Sequence, residues 1–190
     1  YCYTRNSHEY WGFSAGQDFE SKIVVKRRAP ELLRELFSSS KWKPAPISLS
    51  GNTDCYQPVE RKLEITRKLL QVCLDYQNPV GIITKNALVL RDVDLLQELA
   101  KNKLVSVYVS VSSMDESLRR KLEPRTSTYE ERIRIVSELS RHGIHCGVMN
   151  APVIPGLNDA HMYEVLRRAS LAGAKSAGYT VVRLNGAIGD

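Results

Sequence analysis

The spacing of hydrophobic positions changes period repeatedly along this chain. Residues 47–50, Ile-Ser-Leu-Ser, follow a Pro-rich stretch and read as a short strand. Pro58 opens a helix in which Val59, Leu63, Thr66, Leu70 and Cys73 share one face. Residues 80–84 form a near-continuous apolar strand, and a helix follows over residues 92–102. Residues 104–112 are rich in β-branched side chains and read as strand again. Residues 129–141 have helical spacing and stop at Gly143. Residues 147–154 are strand. Asn158 and Asp159 can cap a helix carrying Met162, Val165, Leu166 and Ala169, which stops at Gly173. Residues 177–184 are the last strand.

This order predicts an α/β protein with five strands separated mostly by helices. Strands so uniformly apolar are expected to be buried on both faces, as in a parallel sheet. The architectures that fit are a doubly wound open sheet and a (β/α) barrel, whole or partial. In both, chemistry gathers at the C-terminal ends of the strands. The predicted ends are polar: Ser50-Gly51-Asn52-Thr53-Asp54-Cys55, Thr84-Lys85-Asn86, Ser110-Val111-Ser112-Ser113, Asn150-Ala151-Pro152 and Arg183-Leu184-Asn185-Gly186. Turn chemistry accounts for some of these, such as Gly156-Leu157-Asn158-Asp159. It accounts poorly for Lys85 or for Ser110 and Ser112, which fall on the strands themselves.

Composition narrows this only slightly. The chain has 190 residues, 43% of them apolar and 25% charged, as in one soluble globular domain. No apolar run is long enough for a membrane helix, and no signal peptide opens the chain. The net charge of +6 divides equally between the two halves, so there is no basic tail. It fits a mildly basic enzyme or a phosphate-rich partner such as nucleic acid. The four cysteines do not form a disulfide framework, which points to a reducing, cytoplasmic compartment. Cys73 and Cys146 lie on apolar stripes and are expected in the core. Cys2 and Cys55 lie in polar, aromatic-rich loops. No phosphate-binding glycine loop, dinucleotide fingerprint, zinc-protease motif or nucleophile elbow is present. His8, His142, His145 and His161 do not form a spaced metal set.

The start of the chain, Tyr1-Cys2-Tyr3-Thr4-Arg5, resembles the end of the C-x3-C-x2-C loop of radical S-adenosylmethionine (SAM) enzymes. Further segments are similar to the branch of that superfamily related to spore photoproduct lyase. They are Asp54-Cys55-Tyr56-Gln57-Pro58, Thr84-Lys85-Asn86, Glu123-Pro124-Arg125-Thr126 and Ala151-Pro152-Val153-Ile154-Pro155-Gly156-Leu157-Asn158-Asp159. The resemblance covers essentially the whole chain. It implies a partial (β/α)6 TIM-like barrel whose first strand is missing from the chain. It also implies a single core domain, cut inside its cluster loop and again just past the last strand.

The resemblance further implies a [4Fe–4S] cluster and SAM as cofactors, with an external electron donor of flavodoxin or ferredoxin type. Cys2 would be the third cluster ligand, with two more cysteines upstream of Tyr1. Tyr1 would pack near the adenine, and Tyr3 would lie near the radical path. Gly51, Thr53 and Asp54 would form the strand-end site for the amino group of SAM. Lys85 would meet its carboxylate and Ser110 its ribose, with Ser112 on the same rim. Arg125 is a further carboxylate partner or a solvated arginine. Spore photoproduct lyase carries a hydrogen-donating cysteine where this chain has Gly51. Cys55 is therefore either a displaced hydrogen donor or a buried structural thiol. The expected activity is radical SAM chemistry, lyase-like, on a substrate related to nucleic acid as in DNA repair. Two other readings stand beside it: a barrel lyase or aldolase with Lys85 as a Schiff-base lysine, and a nucleic-acid-binding module.

Overall fold

The computed structural model of the protein describes Cys2 and residues 4–184. Tyr1, Tyr3, Asn185 and Gly186 lie outside the described residues. Five strands form one sheet: β1 (Ile47–Leu49), β2 (Val80–Thr84), β3 (Val105–Ser110), β4 (Cys146–Val153) and β5 (Ser176–Val181). Their spatial order is the order of the sequence, and every neighbouring pair is parallel. A doubly wound sheet needs a point where the strand order reverses, and the five described strands have none. Strands added one after another in the same direction are the barrel arrangement. The structure is thus the expected α/β fold, five strands of a partial TIM-like barrel.

The helices that link these strands are α3 (Glu60–Leu63) and α4 (Ile65–Asp75), α5 (Val93–Lys101), α6 (Glu116–Leu122), α7 (Tyr129–Arg141) and α8 (Met162–Leu171). Two more, α1 (Gln17–Ser21) and α2 (Ala29–Ser38), precede β1. The single helix expected from Pro58 to Cys73 is broken. Glu64 takes a left-handed backbone, φ 52°, between α3 and α4. The Glu60 carboxylate, on the far side of the break, accepts the Thr66 N–H at 2.6 Å. A carboxylate at this first turn satisfies an N–H that has no intrahelical partner. The predicted face survives the break, because Thr66, Leu70 and Cys73 are all buried.

The strands are not buried equally on both faces, contrary to expectation. Burial alternates: Val80, Ile82 and Thr84 are buried, while Gly81 and Ile83 are half-buried. Val105, Val107 and Val109 are buried, while Ser106 and Tyr108 are half-buried. One face packs on α5, α7 and α8 and makes the main core with Leu70, Leu96, Leu99, Ile135 and Leu139. Burying each such side chain contributes about 1.5–3 kcal/mol. The other face is the inner one. There Tyr108 lies across Gly147 and accepts a hydrogen bond from Ser176 at 3.0 Å. A Cβ at Gly147 would lie 2.7 Å from the Tyr108 ring and 2.5 Å from the Ser176 hydroxyl. Only glycine lets the phenol bridge from β3 to β5.

No helix among the described residues is long and apolar enough to cross a membrane.

Candidate functional site

The C-terminal end of β1 runs into a loop, residues 50–56, that the fold ties down at both ends. Ser50 has φ 82°, and its hydroxyl accepts the Cys55 N–H at 3.1 Å. Tyr56 is fully buried, and its hydroxyl donates to Asp92 at 3.1 Å. Asp92 is itself fully buried and also accepts from Arg67 and from both ends of the Arg91 guanidinium. Burial, with the Asp92 charge next to it, pushes the Tyr56 phenol far above its usual range. The loop therefore hangs between a strand and a buried ionic anchor.

Cys2 meets this loop. Its Sγ lies 2.9 Å from Thr4 Oγ1, and the Thr4 hydroxyl donates to the Asn52 carbonyl at 2.7 Å. Thr4 is buried and Cys2 half-buried. One threonine thus joins the predicted metal ligand to the predicted SAM loop, 48 residues away in sequence. Thr4 itself had no sequence signal beyond its place two residues after the cysteine. Tyr1 and Tyr3, the two aromatic candidates, lie outside the described residues.

Gly51, Thr53, Asp54 and Cys55 line a cavity of about 400 Å3. The stretch Ile23 to Lys26 and the side chains of Leu63 and Leu69 close its other side. Within the loop, Asp54 works as a strap. Its Oδ1 accepts from the Tyr56 N–H at 2.9 Å and the Thr84 hydroxyl at 2.7 Å, and its Oδ2 accepts the Lys85 N–H at 2.7 Å. The carboxylate holds the tip of β1 to the tip of β2. A carboxylate has about four acceptor positions, so the strap uses three of them.

At the tip of β2, the Lys85 ammonium donates to Glu123 Oε1 at 2.5 Å. Glu123 Oε2 in turn accepts from Arg132 at 2.6 Å. Arg132 is fully buried and also donates to the Ser110 carbonyl, the Thr126 hydroxyl and the Ser127 carbonyl. Lys85 and Ser110, predicted separately, are therefore linked through two residues not predicted as site residues. Glu123 did carry a signal, since it opens the Glu-Pro-Arg-Thr stretch. Arg132 did not, because in sequence it resembles any arginine on a helix.

The remaining candidates divide. β3 ends at Ser110, so the two-residue alternation with Ser112 does not hold. Ser112 is buried and lies 3.0 Å from the Tyr129 hydroxyl of α7, so its hydroxyl serves core packing. Arg125 is exposed and donates to the Glu20 carbonyl of α1 at 3.4 Å, spanning 105 residues. Within β4, three residues before its end, Asn150 donates to the Val111 carbonyl, and its Oδ1 is buried without a partner. Among the described residues no three His, Cys, Asp or Glu side chains converge as a metal set.

Burial pushes the Cys55 thiol up to about 12. It therefore stays an S–H at neutral pH. A metal ligand must be a thiolate, whereas a hydrogen-atom donor must keep its proton. Cys55 is thus unsuited to binding iron and remains compatible with donating hydrogen. An ordinary cysteine titrates near about 8.5. Alkylation of Cys55 by iodoacetamide at pH 7 is accordingly expected to be at least about 100-fold slower in the folded protein than in urea. Equal rates, read by peptide mass spectrometry, would refute this assignment.

A family model described as the radical SAM superfamily matches residues 1–169. The uncharacterized protein Rv2578c of Mycobacterium tuberculosis is 34% identical over 187 residues, covering 97% of this chain and 54% of that protein. The uncharacterized protein MJ0683 of Methanocaldococcus jannaschii is 29% identical over 159 residues, covering 84% and 57%. The chain thus spans about half the length of the curated relatives it matches. Among solved structures, spore photoproduct lyase complexed with dinucleoside spore photoproduct superposes with TM-score 0.64 at 15% identity. That match covers 94% of this chain and 51% of the lyase. SuiB of Streptococcus suis bound to S-adenosylmethionine superposes with TM-score 0.56 at 15% identity, covering 74% and 31%. At such identities these two structures establish a shared fold.

Proposed function

The chain belongs to the radical SAM superfamily, whose members use a [4Fe–4S] cluster and SAM, and from that premise we propose that residues 1–190 carry one core domain of a SAM-cleaving enzyme. The observation that carries the reading is the Cys2–Thr4–Asn52 link, which joins the cysteine to the loop beside the β1 and β2 tips. When bound, the two cofactors supply one-electron cleavage of the sulfonium and a 5′-deoxyadenosyl radical that abstracts hydrogen from the substrate.

The chain's own residues bind and aim. Cys2 offers a thiolate as one cluster ligand. Gly51 and Thr53 bring backbone and hydroxyl to the cavity, and Asp54 fixes the loop while offering its remaining acceptor position to an ammonium. Lys85 offers an ammonium to a carboxylate. Ser110 stands at the end of the inner face, two residues above Tyr108, where a ribose would lie. Arg125, Tyr1 and Tyr3 are assigned to SAM and the radical path by resemblance, and Cys55 to hydrogen donation on its protonation state. Ser112 has no part in this reading. The substrate occupies the inner face. A nucleic-acid substrate, an external flavodoxin- or ferredoxin-type donor and a cytoplasmic location complete the proposal.

The geometry disfavours a Schiff-base lysine. A nucleophilic amine must turn its lone pair to a carbonyl, whereas the Lys85 amine donates to the buried Glu123 carboxylate at 2.5 Å. The proposal is tested on the full-length protein, reconstituted anaerobically with iron and sulfide and then reduced. Formation of 5′-deoxyadenosine and methionine from SAM is the expected result. A protein that holds its full complement of iron and sulfide yet leaves SAM intact would overturn it.

A further inference from the structure

Glu123 is nearly fully buried, yet it faces two cations. Arg132 grips one carboxylate oxygen and the Lys85 ammonium the other. Arg132 is fully buried with its donors directed to Glu123, Ser110, Thr126 and Ser127, while Lys85 reaches partial exposure at the tip of β2. The backbone around Glu123 is held as well: Arg119 of α6 donates to the Glu123 and Thr126 carbonyls, and the Thr126 hydroxyl donates to the Glu123 carbonyl. The carboxylate therefore sits at one fixed point between two helices and two strand tips.

We propose that Glu123 is a positioning residue that holds the Lys85 ammonium at the rim for the carboxylate of SAM. The inference rests on the reading of Lys85 given above and adds the device that makes it work. A free lysine has a long, flexible stem and loses about 2 kcal/mol of rotamer entropy when a ligand fixes it. Here folding has already fixed it, so binding does not bear that cost. A carboxylate beside the site would ordinarily repel the carboxylate of the ligand. Arg132 offsets that charge from behind, so the three side chains together present one net positive charge.

The test uses the full-length, cluster-reconstituted protein and measures SAM binding at equilibrium and SAM cleavage. Glu123→Gln is expected to raise the dissociation constant for SAM about 10-fold, with the larger kinetic change in KM rather than kcat. In a Lys85→Met background the same change is expected to add less than about 2-fold. A merely structural glutamate would cost the same in both backgrounds, and that result would overturn the proposal. Glu123→Gln leaves Arg132 as an unpaired buried cation and can unfold the protein. Glu123→Asp keeps the charge but withdraws it from Lys85; it is expected to fold and to show the same Lys85-dependent weakening. Wild-type affinity in Glu123→Asp together with an unfolded or unaffected Glu123→Gln also overturns the proposal. Wild-type protein that binds no SAM would overturn the reading of the site as a whole. Tight wild-type binding with no Lys85-dependent effect would overturn the role of Glu123 alone.

Discussion

Cys2→Ala in the full-length, anaerobically reconstituted protein is expected to lower SAM cleavage by more than about 100-fold and to cut the bound iron and sulfide sharply. Cys2 is half-buried, and its sulfur lies beside Thr4, whose hydroxyl is bonded to Asn52 in the β1 loop. Asn52 belongs to the same loop as Gly51, Thr53 and Asp54, which line the cavity. Cys55 cannot substitute for it, because burial keeps that thiol protonated. Cys73 and Cys146 are buried in the core, where burial raises both thiols. The other three cysteines are therefore internal controls: replacing Cys73 by alanine changes packing and leaves the iron content as it was. Thr4→Val should act in the same direction as Cys2→Ala but less strongly, by about 10-fold, because it disturbs the orientation of the ligand and leaves the ligand in place. Iron and sulfide analysis beside the cleavage assay decides the matter. A Cys2→Ala protein with unchanged iron content would remove Cys2 from the metal site.

The second large effect is on stability. Asp92→Ala is expected to destabilise the fold by about 3 kcal/mol, a fall of about 10 °C in Tm. Asp92 is fully buried and accepts from the Tyr56 hydroxyl, from Arg67 and from Arg91. Removing it strands a fully buried phenol without an acceptor, which alone costs about 1–3 kcal/mol. Two guanidinium groups also lose one partner each, although Arg67 keeps Asp94 and Arg91 keeps Glu60. They are partly exposed and can turn toward water, which keeps the cost below that of a fully buried pair. Tyr56 closes the β1 loop, so the same change should loosen the segment that carries Thr53 and Asp54. Tyr56→Phe removes the hydroxyl without leaving a buried donor unpaired and is expected to cost less. Thermal unfolding of both variants separates the ionic anchor from the packing of the ring. Equal melting points for Asp92→Ala and wild type would show that the anchor contributes nothing.

Much of the fold was legible because period and punctuation carry it locally. The five strands fall within a few residues of their predicted ranges. Gly143 and Gly173 do stop α7 and α8 with left-handed backbones, φ 71° and 96°. α1, α2 and α6 were missed, although Pro30 stands in the first turn of α2 and Asp115 caps α6 by accepting from the Ser117 N–H at 2.7 Å. α1 and α6, at five and seven residues, give periodicity little length in which to show itself, whereas α2, at ten, is as long as the predicted α8. The break at Glu64 was also hidden, because an unbroken apolar stripe runs through it.

The candidate site was read by resemblance, one residue at a time. The strand-end positions Gly51, Thr53, Asp54, Lys85 and Ser110 do gather on one side of the sheet, as the order of a parallel fold requires. The sequence by itself determined which strands exist, that they run parallel, and which chemistry-bearing residues close them, since each of these follows from local spacing. Tertiary structure alone decided how those residues are used. It turned Asp54 into a strap between two strands, Ser112 toward the core, and Glu123 with Arg132 into the support of Lys85. The reason is physical. A hydrogen bond or ion pair depends on an approach of about 3 Å between groups, and the bonds that tie Thr4 to the β1 loop, Asp54 to β2 and Lys85 to Glu123 join residues 30 to 48 apart in the chain. No spacing rule reaches across that distance; only the packing of the helices against the sheet does.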